Sequence, residues 1–291
     1  MNQTRIGSLA LGNGNKTVIV AEIGINHNGD IEIAKKLIAA AKTAGCDAVK
    51  FQKRTVEVVY TPDELAKPRE NPFGPTNGDL KRGLEFGFEQ YKEIDAFCKQ
   101  QGVFWFASPW DEASVDFLEQ FNVPCHKVAA ASLTDLGLLE KIKSIGKTVI
   151  LSTGMSSVAE IDKAVQTLGI EKLILLHCVS LYPASADKVN LHAMQTLMKK
   201  YDVPVGYSGH ELDCIISAAA VSMGACMVER HFTLDRGMWG SDHKASIEPA
   251  EMKAMIDNIR LIETAMGSPE IHCLSEEEPV KAKLRRVVSN K

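Results

Sequence analysis

Lys50 and Lys127 sit inside otherwise apolar runs, Ala48-Val49-Lys50-Phe51 and Cys125-His126-Lys127-Val128-Ala129. A lysine is almost never buried without a partner. Neither run offers a carboxylate of its own. The pair therefore reads as two fixed cations facing a dianionic ligand, a phosphate or a carboxylate, rather than as two stems reaching for water at a rim. Glu22 stands between Ala21 and Ile23 in a β-branched run. A carboxylate there either pairs with Lys50 or serves as the acid or base of a reaction, its pKa set by neighbouring charge. His210 and His231 close two consecutive strand-like runs. Neighbouring strands lie about 4.8 Å apart, so both imidazoles could reach one divalent first-row ion. Asp242, in Gly240-Ser241-Asp242-His243, could add an oxygen or hold the substrate.

Strand side chains alternate in direction, which puts Lys50 with Gln52 and Ser208 with His210 on shared faces. Ser108, Ser152, Thr153, His177 and Glu229 also stand at run ends. One polar strand end means little, whereas a ring of them at one mouth is a site. His126, His192 and His272 are expected to be hydrogen-bonded structural residues. His27 lies in Gly24-Ile25-Asn26-His27-Asn28-Gly29, whose turn composition needs only a structural reason, although it stands beside Glu22.

The elements that must position these residues alternate. Strand-like runs cover 17–23, 48–52, 103–107, 125–129, 148–152, 172–177, 203–208 and 227–231. Helical periodicity covers 31–44, 88–101, 112–121, 135–145, 158–168, 191–200, 213–223 and 249–266. Continuously apolar strands mean that both sheet faces are covered, as in a parallel sheet. Eight such units in 291 residues fit a (β/α)8 TIM barrel. A doubly wound open sheet is the alternative. It is weakened because no Gly-x-Gly-x-x-Gly follows a strand, and Gly12-Asn13-Gly14 reads as a plain turn before the first strand. The connection 53–87, with four prolines and four glycines, is long enough to be a lid, and a barrel would hang it over the catalytic mouth. Residues 1–267 are expected to form the barrel, and 268–291 a charged tail or linker.

Lys plus Arg total 33 against 37 Asp plus Glu, a net charge of −4. That argues against nucleic acid as a partner and leaves room for a local basic pocket. The seven cysteines show no Cys-x-x-Cys and no framework spacing, as expected of free thiols in a reducing compartment. The N-terminal residues lack a leader pattern and no apolar stretch is long enough to span a membrane. The chain is expected to be cytoplasmic, with no membrane partner.

Ala21-Glu22-Ile23-Gly24-Ile25-Asn26-His27-Asn28-Gly29, Val49-Lys50-Phe51-Gln52, Leu151-Ser152-Thr153-Gly154-Met155, His177-Cys178, Tyr182-Pro183, Gly206-Tyr207-Ser208-Gly209-His210 and Glu229-Arg230-His231-Phe232-Thr233 resemble the sialic acid synthase (N-acetylneuraminate synthase) family. The resemblance runs in order over about 18–266. It implies a (β/α)8 barrel that condenses phosphoenolpyruvate with an open-chain sugar aldehyde, N-acetylmannosamine or a related hexose, releasing a nonulosonic acid and phosphate. It also implies a divalent ion, manganese or magnesium, on His210 and His231. Glu22 would position or activate a water, Lys50, Lys127, Ser108 and Ser208 would surround phosphoenolpyruvate, and Gln52, Tyr182 and Asp242 would line the sugar site. A homodimer is expected on the same ground.

Three departures accompany the resemblance. Ala130 and Ser132 stand where the family commonly has a serine and an acidic residue. Ser180, still expected to contact substrate, stands where asparagine is common. The family usually continues into a small antifreeze-like domain that gives an arginine to the sugar's acyl group, whereas this sequence stops at Lys291, soon after Lys283-Leu284-Arg285-Arg286. Two alternatives stay open. One is a keto-deoxy sugar acid synthase of the octulosonate or heptulosonate type, which needs basic residues for a second phosphate, such as Arg54, Arg69 and Arg82. The other is a non-catalytic sugar-binding paralogue.

Overall fold

The computed structural model describes residues 4–12 and 14–286. Asn13 of the expected turn and residues 287–291 of the expected tail lie outside them. Eight parallel strands form one sheet: β1 (Val18–Gly24), β2 (Ala48–Lys53), β3 (Phe104–Pro109), β4 (Cys125–Val128), β5 (Thr148–Ser152), β6 (Leu173–Cys178), β7 (Val205–Gly209) and β8 (Met227–His231). The ladder runs β3-β2-β1-β8-β7-β6-β5-β4. β3 and β4 lie side by side across the remaining seam, so the sheet curls into a barrel. The strands are buried almost throughout, because helices cover the outside and side chains fill the inside.

The helices are α1 (Ile31–Ala44), α2 (Phe88–Gln101), α3 (Glu112–Glu119), α4 (Leu136–Ile145), α5 (Val158–Leu168), α6 (His192–Tyr201), α7 (Ile215–Ser222) and α8 (Pro249–Met266). Their starts are chemically marked. The Asp30 carboxylate accepts from the Glu32 and Ile33 amides, and Ser157 with Glu160 forms a capping box. α1 buries Ala34, Leu37, Ile38 and Ala41, the inward stripe of a 3.6-residue period. α8 is clamped to the start of the barrel. The Thr17 amide donates to Glu263 Oε1 at 2.5 Å, Arg260 donates to the Thr17 carbonyl at 2.9 Å, and Asp47 accepts from the Ile19 amide at 2.8 Å while standing 3.4 Å from Arg260.

Three features depart from expectation. Phe104–Pro109 is displaced from the expected 103–107 and so carries Ser108 within the strand. A hairpin, Thr4–Ile6 with Leu9–Leu11, lies at the N-terminal end of the barrel, where Thr148 Oγ1 donates to the Arg5 carbonyl at 2.6 Å and Ile6 and Leu11 are buried. The insertion 53–87 is an organised unit. It contains helices Val56–Val59, Pro62–Ala66 and Asn77–Leu84 and the hairpin Pro68–Asn71 with Gly74–Thr76. It docks on the β1–α1 loop by close backbone approach, since a Cβ on Gly29 (φ 76°) would stand 2.3 Å from the Gly83 carbonyl oxygen. Phe73 meets Trp239 of the loop after β8 edge-on, at 6.4 Å between centroids. Beyond α8, the short helix Glu278–Leu284 buries no residue. Among the described residues no helix is long and apolar enough to cross a membrane.

Two outcomes follow from this packing. Gly29→Ala should push the insertion off its seat, because the added methyl meets backbone and the φ is one that L side chains avoid. Limited proteolysis within 61–84 should speed up while the barrel still melts cooperatively, and an unchanged digestion rate would contradict the docking. Burial pushes the Glu263 carboxyl up, but hydrogen bonds from Thr17 and Arg260 outweigh it and hold the group below the usual carboxylate range. Its stabilisation is therefore present above that range and lost as pH falls through the lowered value. Glu263→Gln should lower the melting temperature at neutral pH and converge with the parent in acid, as read by thermal melts across pH.

Candidate active site

The strands deliver their polar residues to one mouth. Lys50, Glu22 and Glu229 come from neighbouring strands β2, β1 and β8, and Lys127 reaches in from β4. Lys50 Nζ lies 2.8 Å from Glu22 Oε2 and 3.7 Å from Glu229 Oε1, and Lys127 Nζ lies 3.6 Å from the same Glu229 oxygen. All four side chains are no more than 6% exposed. The Glu22–Lys50 pairing that the sequence left open is present, and Glu229, which no inspection of the lysine runs could reveal, is the carboxylate shared by both lysines. Lys50 also donates to Ser108 Oγ at 3.2 Å and Lys127 to Ser152 Oγ at 2.7 Å, while Ser208 Oγ donates to Glu229 Oε1 at 3.2 Å.

The environments push the two carboxyls apart. Burial drives Glu22 up and the Lys50 charge only partly offsets it. Burial also acts on Glu229, but two lysines outweigh it and hold that group down. Burial lowers Lys127, whereas Lys50, with two carboxylates beside it, is raised despite its own burial. Gln52 Nε2 donates to Glu22 Oε1 at 2.9 Å, and Gln52 Oε1 accepts from Arg54 Nη2. These two contacts fix which way the amide faces.

His210 and His231 stand at the ends of β7 and β8 with ring centroids 5.4 Å apart. His210 Nδ1 donates to the Val179 carbonyl at 2.7 Å, so its Nε2 keeps a lone pair. Burial pushes His210 down to about 4 and lowers His231 as well, leaving neutral imidazoles. His231 Nδ1 is buried without a hydrogen-bond partner, 4.0 Å from Asp242 Oδ2. Tyr182, in the loop after β6, packs on His210 at 4.1 Å. Behind the wall Arg230, 1% exposed, pairs with Glu211 at 3.1 Å and donates to Ser217 Oγ at 2.9 Å, bracing the two histidine-bearing strand ends.

All of Glu22, Lys50, Gln52, Ser108, Lys127, Ser180, Tyr182, Ser208, His210, His231 and Asp242 line one cavity of about 370 Å³. Ala130 lines it too, whereas Ser132 is buried outside that lining. His177 does not join the ring. Its Nε2 donates to the Val189 carbonyl at 2.7 Å, and Cys178, the next residue, faces the cavity instead. His27 is held away by stacking on Phe86 at 4.0 Å, and burial lowers its pKa to about 3. His126 is paired with Glu119 at 2.8 Å. Glu229 was given no role from the sequence, although its two-residue spacing from His231 puts both on one face. Tyr60, Lys81 and Trp110 also line the cavity; they lie outside the strand-end pattern and left no signal of that kind.

The model of the NeuB family matches residues 37–270. The chain is 40% identical over 275 residues to an N-acetylneuraminate-9-phosphate synthase of Mus musculus, covering 93% of this chain and 77% of that protein. It is 38% identical over 281 residues to an N,N'-diacetyllegionaminic acid synthase of Legionella pneumophila, covering 93% and 79%. The crystal structure of an N-acetylneuraminic acid (sialic acid) synthetase from Leptospira borgpetersenii, in complex with citrate, superposes with a TM-score of 0.86 at 31% identity, covering 98% of each chain. With the family model spanning most of the barrel and these relatives matching nearly all of it, the chain belongs to the NeuB family.

Proposed function

We propose that this enzyme condenses phosphoenolpyruvate with an open-chain aldose, N-acetylmannosamine or a related hexose, giving a sialic-type nonulosonic acid and phosphate. The observation that carries the reading is the Glu22–Lys50–Glu229–Lys127 set at the floor of the cavity, with the paired imidazoles of His210 and His231 on its wall. The full set of charged groups argues against a non-catalytic sugar-binding role. The names of the two relatives differ on whether the product carries a phosphate.

In this reading Lys50 and Lys127 hold the anionic groups of phosphoenolpyruvate, helped by the hydroxyls of Ser108 and Ser208. Carbon 3 of phosphoenolpyruvate attacks the aldehyde carbon. Water then adds to carbon 2, and phosphate leaves with the carbon–oxygen bond broken on the carbon side. Glu22, held by Gln52 and Lys50, is placed to orient that water and take its proton. Gln52, Ser180, Tyr182 and Asp242 line the acceptor side. The donor set of His210 and His231 fits a divalent ion, manganese or magnesium. Both rings are neutral, His210 Nε2 is free because Nδ1 is spent on Val179, and His231 Nδ1 is orphaned. Among the described residues no third His, Cys, Asp or Glu completes a cluster. When bound, such an ion supplies Lewis-acid polarisation of the aldehyde oxygen. Seven free cysteines, five of them buried, support a reducing, cytoplasmic setting, and the family resemblance supports a homodimer.

His231→Ala should remove manganese binding in calorimetric titration and abolish synthase activity, with the barrel still folded by circular dichroism. Manganese-stimulated turnover in that variant would sink the ligand assignment. Lys127→Met should raise the Michaelis constant for phosphoenolpyruvate far more than that for the sugar. Loss of a charged hydrogen-bond partner costs about 1.5–3 kcal/mol, or roughly ten- to a hundredfold in binding. Equal effects on both substrates in steady-state kinetics would make the lysine structural.

A further inference from the structure

The loop Gly24-Ile25-Asn26-His27-Asn28-Gly29 after β1 carries three polar side chains that the proposed chemistry does not use. Two of them reach across to the loop after β8, the segment that bears Asp242. Asn26 is buried, and its Nδ2 donates to the Phe232 carbonyl at 2.9 Å and to Ser246 Oγ at 2.8 Å. The Ser246 hydroxyl in turn donates to the Asp242 carbonyl at 2.7 Å, and the Ala245 amide donates to the same oxygen at 3.2 Å. Asn28, at φ 53°, places its Oδ1 3.3 Å from His243 Nε2, and His243 Nδ1 lies 2.7 Å from Thr233 Oγ1. His243 is fully buried. Gly240 packs so closely on it that a Cβ there would stand 2.7 Å from the imidazole and 3.1 Å from Asn28 Oδ1. Loops are ordinarily the mobile part of a barrel mouth. This one is closed at its base, where the Thr233 amide donates to the Ile247 carbonyl at 3.1 Å and the Ile247 amide to the His231 carbonyl at 2.9 Å. It is pinned again at its turn by the loop after β1.

We infer that Asn26, Ser246 and His243 are positioning residues that set where the Asp242 carboxylate stands, and that they control the acceptor's affinity through it. The inference rests on the synthase reading, which puts Asp242 on the acceptor side. None of the three lines the cavity, whereas Asp242 does. The Asp242 carboxylate has its Oδ2 4.0 Å from His231 Nδ1, and its Oδ1 accepts from Ser241 Oγ at 2.6 Å. Ser241 belongs to the same loop, so the carboxylate goes where the backbone of that loop lies. That backbone is held at the Asp242 carbonyl by two donors and at the next residue by a buried imidazole. A group displaced by about 1 Å loses the hydrogen bond it was placed to make. The same loop is referenced to β1 at its root, since the Phe232 amide donates to the Glu22 carbonyl at 2.8 Å. One strand end thus fixes both the carboxylate assigned to the water and the carboxylate assigned to the acceptor. Lys50 and Lys127 stand on β2 and β4, so loosening the loop leaves the phosphoenolpyruvate side in place.

Ser246→Ala deletes one oxygen from this chain of bonds, and Asn26→Ala deletes the amide behind it. The acceptor for the test is whichever of N-acetylmannosamine, its 6-phosphate and mannose the parent turns over fastest, with manganese saturating and keto-acid product measured. Each variant is expected to raise the Michaelis constant for the sugar about tenfold and that for phosphoenolpyruvate by no more than about twofold. Hydrogen–deuterium exchange should quicken in peptides covering 233–246 and stay unchanged in those covering 48–53 and 125–128. Asp242→Asn should weaken the sugar by itself. Adding Ser246→Ala to it should cost little more, because groups that act through one another are not additive. Equal rises in both Michaelis constants, or a fully additive loss in the double variant, would make the three residues merely structural and overturn the inference. An unchanged Michaelis constant for the sugar overturns it as well. If Asn26→Ala does not fold, Ser246→Ala decides alone. Absence of product from all three sugars in the parent removes the synthase reading and this one with it.

Discussion

Four charges out of water at the floor of a barrel are the constraint that the rest of this structure answers. An isolated ammonium or carboxylate in such a place costs several kcal/mol. Here each charge is offset by another from a different strand, and Ser108, Ser152, Ser208 and Gln52 add hydrogen bonds to the set, while Glu229 Oε2 stays buried without one. The arrangement holds only if β1, β2, β4 and β8 keep their register. A one-residue slip would turn every one of these side chains out of the barrel. The apolar packing of the strands and the charge set at their ends therefore specify each other.

The same logic separates Glu22 from Glu229. Both are fully enclosed carboxylates near Lys50, yet Glu229 also has Lys127 within 3.6 Å and Glu22 does not. One is kept anionic as the hub between two lysines, and the other is left with a raised pKa. Titratable neighbours driven in opposite directions mark a division of labour in acid–base chemistry.

The barrel was legible in the sequence because continuous apolar runs and 3.6-residue stripes repeat with little interruption between them. Strand ends were legible for the same reason, and so were the residues that alternate inward from them. What escaped was relational. Glu22 could be offered as a partner of Lys50, but Glu229, which both lysines share, lies on another strand and no inspection of a single run could supply it. His177 was read as facing the mouth, but alternation gives that direction to Cys178. The order within 53–87 was hidden by its prolines and glycines, which read as a loop although Thr61 and Thr76 each open a capping box. Tyr60 and Lys81 belong to that unit, which is why no strand-based argument reached them.

The hydrogen bond from Arg54 to Gln52 joins two parts with different histories open to them. The groups on the strand ends, to which the proposed function gives the bond-making steps, are locked by the barrel's own register. Tyr60 and Lys81 of 53–87 line the cavity, and that segment reaches Glu22 through the sequence Glu85, Arg54, Gln52. Changes elsewhere in the segment can then reshape the cavity without disturbing the charged strand ends. A single barrel could in this way diversify over sugars by drift in one insertion, while substitutions along that four-residue thread would be held in check by the chemistry itself.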